Sequence, residues 1–267
     1  MVSEPLVTCA MITRPRRHAL ARQSARCFAL QTHANRELLV LTGEGRADGE
    51  AGRLRLAERA QLERAVREEA GGRVRFLHFD EPLSLGELRN VSFQRAEGAF
   101  VCQWDDDDLS HRSRIAEQLA PLAGSPAAAT MLSEVVHHFV DENVAWLCNW
   151  KRAPQGGHPG TGLFRATLQA RYPQSGEESR RGEDTVFALA VQREGGVLAA
   201  SSGPLYTYRF TGENTWALEH HRGLVAQLAI SRALLLRREP ALRAQLLEMG
   251  LPAGLEVRGS NGTAFVL

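Results

Sequence analysis

The sequence predicts an α/β fold built on a mixed central sheet, and three observations carry that expectation. The first half alternates short apolar runs with stretches of helical period. The fourth apolar run ends directly in four consecutive aspartates, Asp105, Asp106, Asp107 and Asp108. The second half changes texture, with a hairpin signature followed by long polar loops.

The elements follow in order. Residues 5–12 are a β-prone run that breaks at Thr13, Arg14 and Pro15. Residues 18–31 have a helical pattern with Leu20, Ser24, Cys27 and Phe28 on one face. A second apolar strand spans 37–41, closed by a glycine-rich loop over 42–52. The charge-laced helix over 54–70 sets Leu62 and Val66 at i,i+4, and Gly71 and Gly72 end it. Residues 74–79 alternate as a third strand, 85–97 are helical up to Gly98, and 99–104 form the fourth strand. Strands separated by such helices imply right-handed crossovers and a parallel sheet. Ser110 is the expected cap of a helix to 122, broken by Gly124 and Pro126. Residues 130–140 and 144–150 read as an antiparallel hairpin turning at Asp141, Glu142 and Asn143. After a loop over 151–162, Gly182, Glu183 and Asp184 open a helix to 193, and 205–210 is the last strand-like run. A long helix is expected over 216–238, and Pro240 starts a short one.

A chain of 267 residues can bury a core without disulfides or a structural metal. With 43% hydrophobic and 24% charged residues, it reads as soluble and globular. Its 32 Lys and Arg against 31 Asp and Glu leave no global basic field, so no nucleic-acid partner is expected. No apolar run approaches the roughly 18 residues of a membrane span. Met1 to Pro5 show no basic, apolar leader pattern. Cys9, Cys27, Cys102 and Cys148 are far apart and read as buried, reduced thiols of a cytoplasmic protein.

Ligands of open α/β sheets bind at the carboxyl ends of strands, which is where the aspartates lie. Four adjacent carboxylates repel one another unless a cation or buried donors neutralise them. At an extended strand end Asp105 and Asp107 point the same way, as a pair facing one Mg²⁺ or Mn²⁺ must. An exposed acidic turn is the alternative. Glu183 and Asp184, at the start of an apolar helix, are favoured there by the helix dipole alone, or serve as acid–base groups. Arg180 and Arg181 precede them, to offset Glu177 and Glu178 or to meet phosphate. His137 and His138 share a strand and so face opposite sides, and His158 reads as an exposed loop histidine, with an acceptor contact as the alternative.

The unbroken segment from Leu85 to Asp108, with Gly86, Arg89, Asn90, Ala96, Gly98 and the aspartates, resembles the segment that defines family 2 glycosyltransferases of the GT-A fold. Weaker likenesses extend over 1–216. Met11 to Arg14 resembles the strand end that holds the nucleobase. Gly160, Gly162, Phe164 and Arg165 resemble the acceptor-side loop. Gly182 to Thr185 resembles the motif carrying the catalytic base, and Tyr208, Arg209, Asn214 and Trp216 the closing loop.

The resemblance implies a Rossmann-like nucleotide-diphospho-sugar transferase domain over 1–216. Its nucleotide-sugar half would be 1–109 and its acceptor half 110–216, with a helical appendage over 217–267. It implies inverting transfer of a sugar from a nucleotide-diphosphate donor to a hydroxyl of a glycan, lipid-linked or protein acceptor. Mn²⁺ or Mg²⁺ would be held by Asp105 and Asp107. Thr13, Arg14, Arg89 and Asp106 are the implied donor contacts, with Arg89 alternatively a salt-bridged helix residue. Gly162 and Trp216 are the implied acceptor contacts. Asp184 is the implied base, with Glu183 orienting. Relatives often supply a third metal ligand, usually histidine, where this chain has Thr211, so either His220 or His221 reaches back or water fills the position. Relatives commonly read the nucleobase with an aspartate after the second strand, where this chain has Leu41, Thr42, Gly43 and Glu44. A non-catalytic nucleotide-sugar-binding protein and a metal-dependent phosphoesterase or nucleotidyltransferase are the competing functions.

Overall fold

The computed structural model describes residues 4–45, 48–200, 203–212 and 214–267. Met1, Val2 and Ser3, part of the stretch expected to carry no leader, lie outside the described residues, as do two residues of the 42–52 loop. Two sheets organise the chain. The first has seven strands: β1 (Val7–Ile12), β2 (Arg36–Thr42), β3 (Arg73–His78), β4 (Phe100–Gln103), β6 (Ala129–Leu132), β9 (Leu163–Arg165) and β10 (Val197–Ala200), in the order β10-β6-β9-β4-β1-β2-β3. Strands β4, β1, β2 and β3 run parallel, while β9 is antiparallel to both β4 and β6. The mixed central sheet is thus as expected. β1, β2 and β4 are apolar almost without interruption because helices cover both faces of a parallel sheet.

Helices α1 (His18–Ala29) and α2 (Gly49–Ala70) pack together, and α2 ends at Gly71 in the left-handed conformation, φ 55°. Helix α3 (Leu85–Arg95) starts from a capping box in which Ser84 and Glu87 satisfy each other's backbone amides. After β1 the chain turns through α1 to β2 on one side, while β4 lies on the other. The carboxyl ends of β1 and β4 therefore flank a topological switch point, where open sheets bind ligands.

The second sheet has the order β13-β12-β8-β7-β11-β5. Its strands are β5 (Leu109–Ser110), β7 (Glu134–Phe139), β8 (Val144–Asn149), β11 (Tyr206–Phe210), β12 (Glu256–Gly259) and β13 (Gly262–Val266). The aspartates span the gap between β4 of the first sheet and β5 of the second. The β7–β8 hairpin is antiparallel, as its sequence indicates.

Several expectations need correction. Ser110 caps no helix: it pairs with Tyr206 in β5, and its hydroxyl accepts from the Arg114 guanidinium at 3.0 Å. Helix α4 (Arg114–Leu119) starts later and stops earlier. The single strand over 130–140 is two strands in different sheets, divided at Ser133, whose amide bonds Ala200. Strands β9 and β10 lie where the sequence pattern marks no element. The long helix over 216–238 is α6 (Leu218–Leu228) and α7 (Arg232–Arg237). It breaks because Ala229 is extended and Ile230 donates its amide to Leu147 of β8. Helix α8 (Glu239–Glu248) follows at Pro240 as expected, but the chain then ends in the β12–β13 hairpin, not in helix alone. Among the described residues no helix is long and apolar enough to cross a membrane. All four cysteines are buried and free.

Candidate active site

A cavity of about 190 Å³ opens at the switch point, and both acidic motifs line it. The four aspartates divide by what they touch. Asp106 accepts from the Thr13 hydroxyl at 2.5 Å and pairs with Arg17 at 3.1 Å, tying β4 to the end of β1. Asp108 accepts from the Tyr206 hydroxyl and, at 2.7 Å, from the Arg209 amide, tying the cluster to β11. Asp105 and Asp107 are more open, with 21% and 15% of their side chains exposed against 3% for Asp106. One oxygen of Asp105 takes the Arg89 guanidinium at 2.8 Å, and the other takes the Gln103 amide at 3.2 Å and the Tyr206 hydroxyl at 3.3 Å. Asp107 takes Arg17 at 2.6 Å.

The cluster carries more negative charge than these arginines neutralise. Burial, and then the neighbouring Asp107, pushes Asp106 up to about 7. Burial likewise raises Asp107, against the pull of Arg17, and holds Asp108 well above the usual carboxylate range. A divalent cation with hard oxygen ligands fits this donor set, because Mg²⁺ and Mn²⁺ accept one or two carboxylates and take their other ligands from phosphate and water. Among the described residues no group of three His, Cys, Asp or Glu side chains is arranged to hold a metal. Asp105 and Asp107, the more open carboxylates of the cluster, are the residues that could hold such a cation.

Glu183 and Asp184 open helix α5 (Glu183–Glu194), which Gly182 enters in the left-handed conformation, φ 77°. Burial, the largest influence, pushes Glu183 up to about 7 despite Arg89, whose Nε lies 3.8 Å from its Oε1. Asp184 accepts from the Thr185 amide at 2.7 Å and is also raised, chiefly by burial. Arg89 stands between the two acidic motifs. Its Nε and Nη1 are buried without a hydrogen-bond partner among the described residues. The motif residues around it position α3. A side chain at Gly86 would strike the carbonyl of Pro173, 1.9 Å from its Cβ. Asn90 exchanges two 2.9 Å hydrogen bonds with the Tyr172 backbone. The loop before α5 is thereby fastened across α3, bringing Glu183 to Arg89.

The other sequence candidates scatter. Thr13 acts behind Asp106, and Arg14 is exposed and outside the cavity wall. Gly162 is structural: a Cβ there would lie 1.9 Å from the Phe164 ring, and Gly160 lines the cavity in its place. Trp216 does line the cavity, beneath the Arg181 guanidinium at 5.0 Å. His220 is exposed, stacked on Trp216 at 4.4 Å, and the structure does not bring it to the carboxylates. His221 is buried beside Tyr208 at 5.0 Å, likewise outside the cavity wall. His158 is a correction: it is buried and lines the cavity. Tyr208, of the closing-loop likeness, lines the cavity with Trp216, whereas Arg17, Gln103 and Tyr206 carry no motif in the sequence. Arg17 carried one signal, its place beside the end of the first strand.

No protein-family model and no curated protein matches the chain. Among solved structures it is similar to the mannosyltransferase PcManGT from Pyrobaculum calidifontis in complex with GDP-Man and Mn²⁺, with a TM-score of 0.58 at 15% identity. That match covers 91% of this chain and 65% of the mannosyltransferase. It is also similar to S. aureus TarS 1–349 in complex with UDP, with a TM-score of 0.57 at 14% identity, covering 90% of this chain and 74% of that one. Against a longer TarS chain the TM-score is 0.56 at 14% identity, covering 83% of this chain and 42% of TarS. The chain thus spans less than two thirds of the mannosyltransferase and under half of the longer TarS. The fold is GT-A, a Rossmann-like α/β architecture with a mixed central sheet.

Proposed function

We propose that the protein is a glycosyltransferase that moves a sugar from a nucleotide-diphosphate donor to a hydroxyl acceptor, with inversion and with a divalent cation. The observation that carries this reading is that one cavity is lined by the aspartate cluster and by Glu183 and Asp184, with Arg89 between them. The fold and the ligands named for its structural neighbours, GDP-Man, UDP and UDP-GlcNAc, support the same reading.

Arg17 and Arg89, whose Nη1 has no hydrogen-bond partner among the described residues, meet the donor diphosphate as charge-assisted donors. Asp105 and Asp107 would hold the cation, which when bound would supply Lewis-acid neutralisation of the leaving diphosphate. Asp184 accepts the acceptor hydroxyl proton as that oxygen bonds the anomeric carbon, whose bond to the diphosphate oxygen breaks. Glu183 orients the acceptor side through Arg89. Trp216 and the residues beside it cover the site and exclude water, so that the donor is not hydrolysed.

The test is release of nucleoside diphosphate from a panel of UDP-, GDP-, CDP- and ADP-sugars with Mn²⁺ or with EDTA, in the presence of an alcohol or glycan acceptor. Cation-dependent release from one donor class supports the reading. Nucleotide binding without release from any donor would favour a binding protein. Hydrolysis of simple phosphate esters instead would favour a phosphoesterase.

A further inference from the structure

We infer that His158 reads a hydroxyl of the donor's sugar ring and so selects the donor sugar; this rests on the nucleotide-sugar reading above. The backbone of His158 is fixed by its amide bond to Leu132 at 3.0 Å and by its carbonyl, which accepts from the Thr161 amide at 3.1 Å and hydroxyl at 2.7 Å. The ring is wedged in an aromatic wall, with Trp150 edge-on at 4.8 Å, His137 at 5.8 Å and Tyr206 at 6.0 Å. It lines the cavity, yet its Nδ1 is buried with no hydrogen-bond partner among the described residues. Burial keeps the ring neutral, its pKa pushed down to about 3. A neutral imidazole offers one donor and one acceptor, and a hydroxyl satisfies either tautomer.

The position favours the donor sugar over the acceptor. One oxygen of Asp105 faces Arg89 and, beyond it, Glu183. The other takes the Tyr206 hydroxyl and borders Gly160. A Cβ at Gly160 would lie 3.2 Å from the His158 ring and 3.7 Å from that Asp105 oxygen, so glycine keeps open the corner between them. An attacking hydroxyl and its base come from the side of Glu183 and Asp184. The opposite corner, beside the carboxylate expected at the diphosphate, is left to the sugar.

The test compares calorimetric affinities of UDP, GDP, UDP-GlcNAc and GDP-mannose, each with Mn²⁺, for wild type, His158→Phe and His158→Gln. The expected result is that His158→Phe binds the bare nucleotide within about twofold of wild type but loses about tenfold in affinity for its sugar conjugate, the scale of one hydrogen bond. His158→Gln, which keeps a donor and an acceptor, recovers part of that loss. An equal loss for nucleotide and conjugate would overturn the inference in favour of packing. No loss for either would also overturn it, and would turn attention to the acceptor. If wild type binds none of the four ligands, the nucleotide-sugar reading fails first and this inference with it.

Discussion

Replacing Arg89 by methionine keeps most of the buried stem and removes the charge. In the native protein the side chain is 8% exposed, and its guanidinium bonds Asp105 at 2.8 Å and lies 3.8 Å from Glu183. The variant leaves these carboxylates, with the raised Asp184 nearby, without their shared counter-charge. Breaking a buried pair from one side costs about 3–5 kcal/mol, and the partial exposure of Asp105 places this case near about 3 kcal/mol. At about 2–4 °C per kcal/mol for a chain of this size, the melting temperature falls by about 6–12 °C. The pH dependence carries a second sign. A carboxyl whose folded pKa lies above its unfolded value destabilises only when ionised. Glu183 already stands at about 7 with Arg89 present and rises further without it. The deficit of Arg89→Met therefore narrows as pH falls from about 8 to about 5, as Glu183 regains its proton. Thermal unfolding followed by circular dichroism across that range tests both. A variant within about 2 °C of wild type at every pH would refute the counter-ion role, since even about 1 kcal/mol shifts such a chain by that much.

Three further outcomes are expected. Asp184→Asn retains nucleotide binding by calorimetry but loses transfer by about 10²–10⁴-fold, the usual share of a positioned base, and near-normal turnover would point to Glu183 instead. Because Glu183 stands at about 7, kcat rises as pH passes upward through that value and Glu183→Gln flattens this limb; an unchanged profile would separate Glu183 from the reaction. Amides of 214–221 exchange more slowly with nucleotide and Mn²⁺ together than with either alone, and equal protection measured by mass spectrometry would leave Trp216 as scaffold.

The parts legible in the sequence were those set by local periodicity and by an uninterrupted motif. The parallel strands β1, β2 and β4 are almost uninterrupted apolar runs, β3 alternates, and α2 ends at a glycine, so all announce themselves. Gly86, Arg89, Asn90 and the aspartates form one stretch because α3 and β4 are consecutive. What stayed hidden depends on pairing between distant segments. Ser110 looks like a cap until β11 claims it as a strand partner. The break at Ala229 comes from a bond to Leu147, not from a glycine or proline. The final hairpin carried one local signal, Asn261 and Gly262, which favour a tight turn. In the site, Arg17 and Tyr206 reach the aspartates from other elements, with no spacing to mark them. His158 looks like a polar loop residue because only the fold lays Trp150 and His137 against it.

Calorimetric titration of UDP and GDP into wild type and Asp107→Asn, with Mn²⁺ and with EDTA, bears most directly on the cavity as a cation-dependent nucleotide-diphosphate site. Wild type should bind one of the two nucleotides with Mn²⁺ and lose that binding in EDTA, and Asp107→Asn should show no cation-dependent binding. Wild-type affinity in Asp107→Asn, or binding indifferent to the cation, would contradict the assignment of the aspartate cluster to a bound divalent cation.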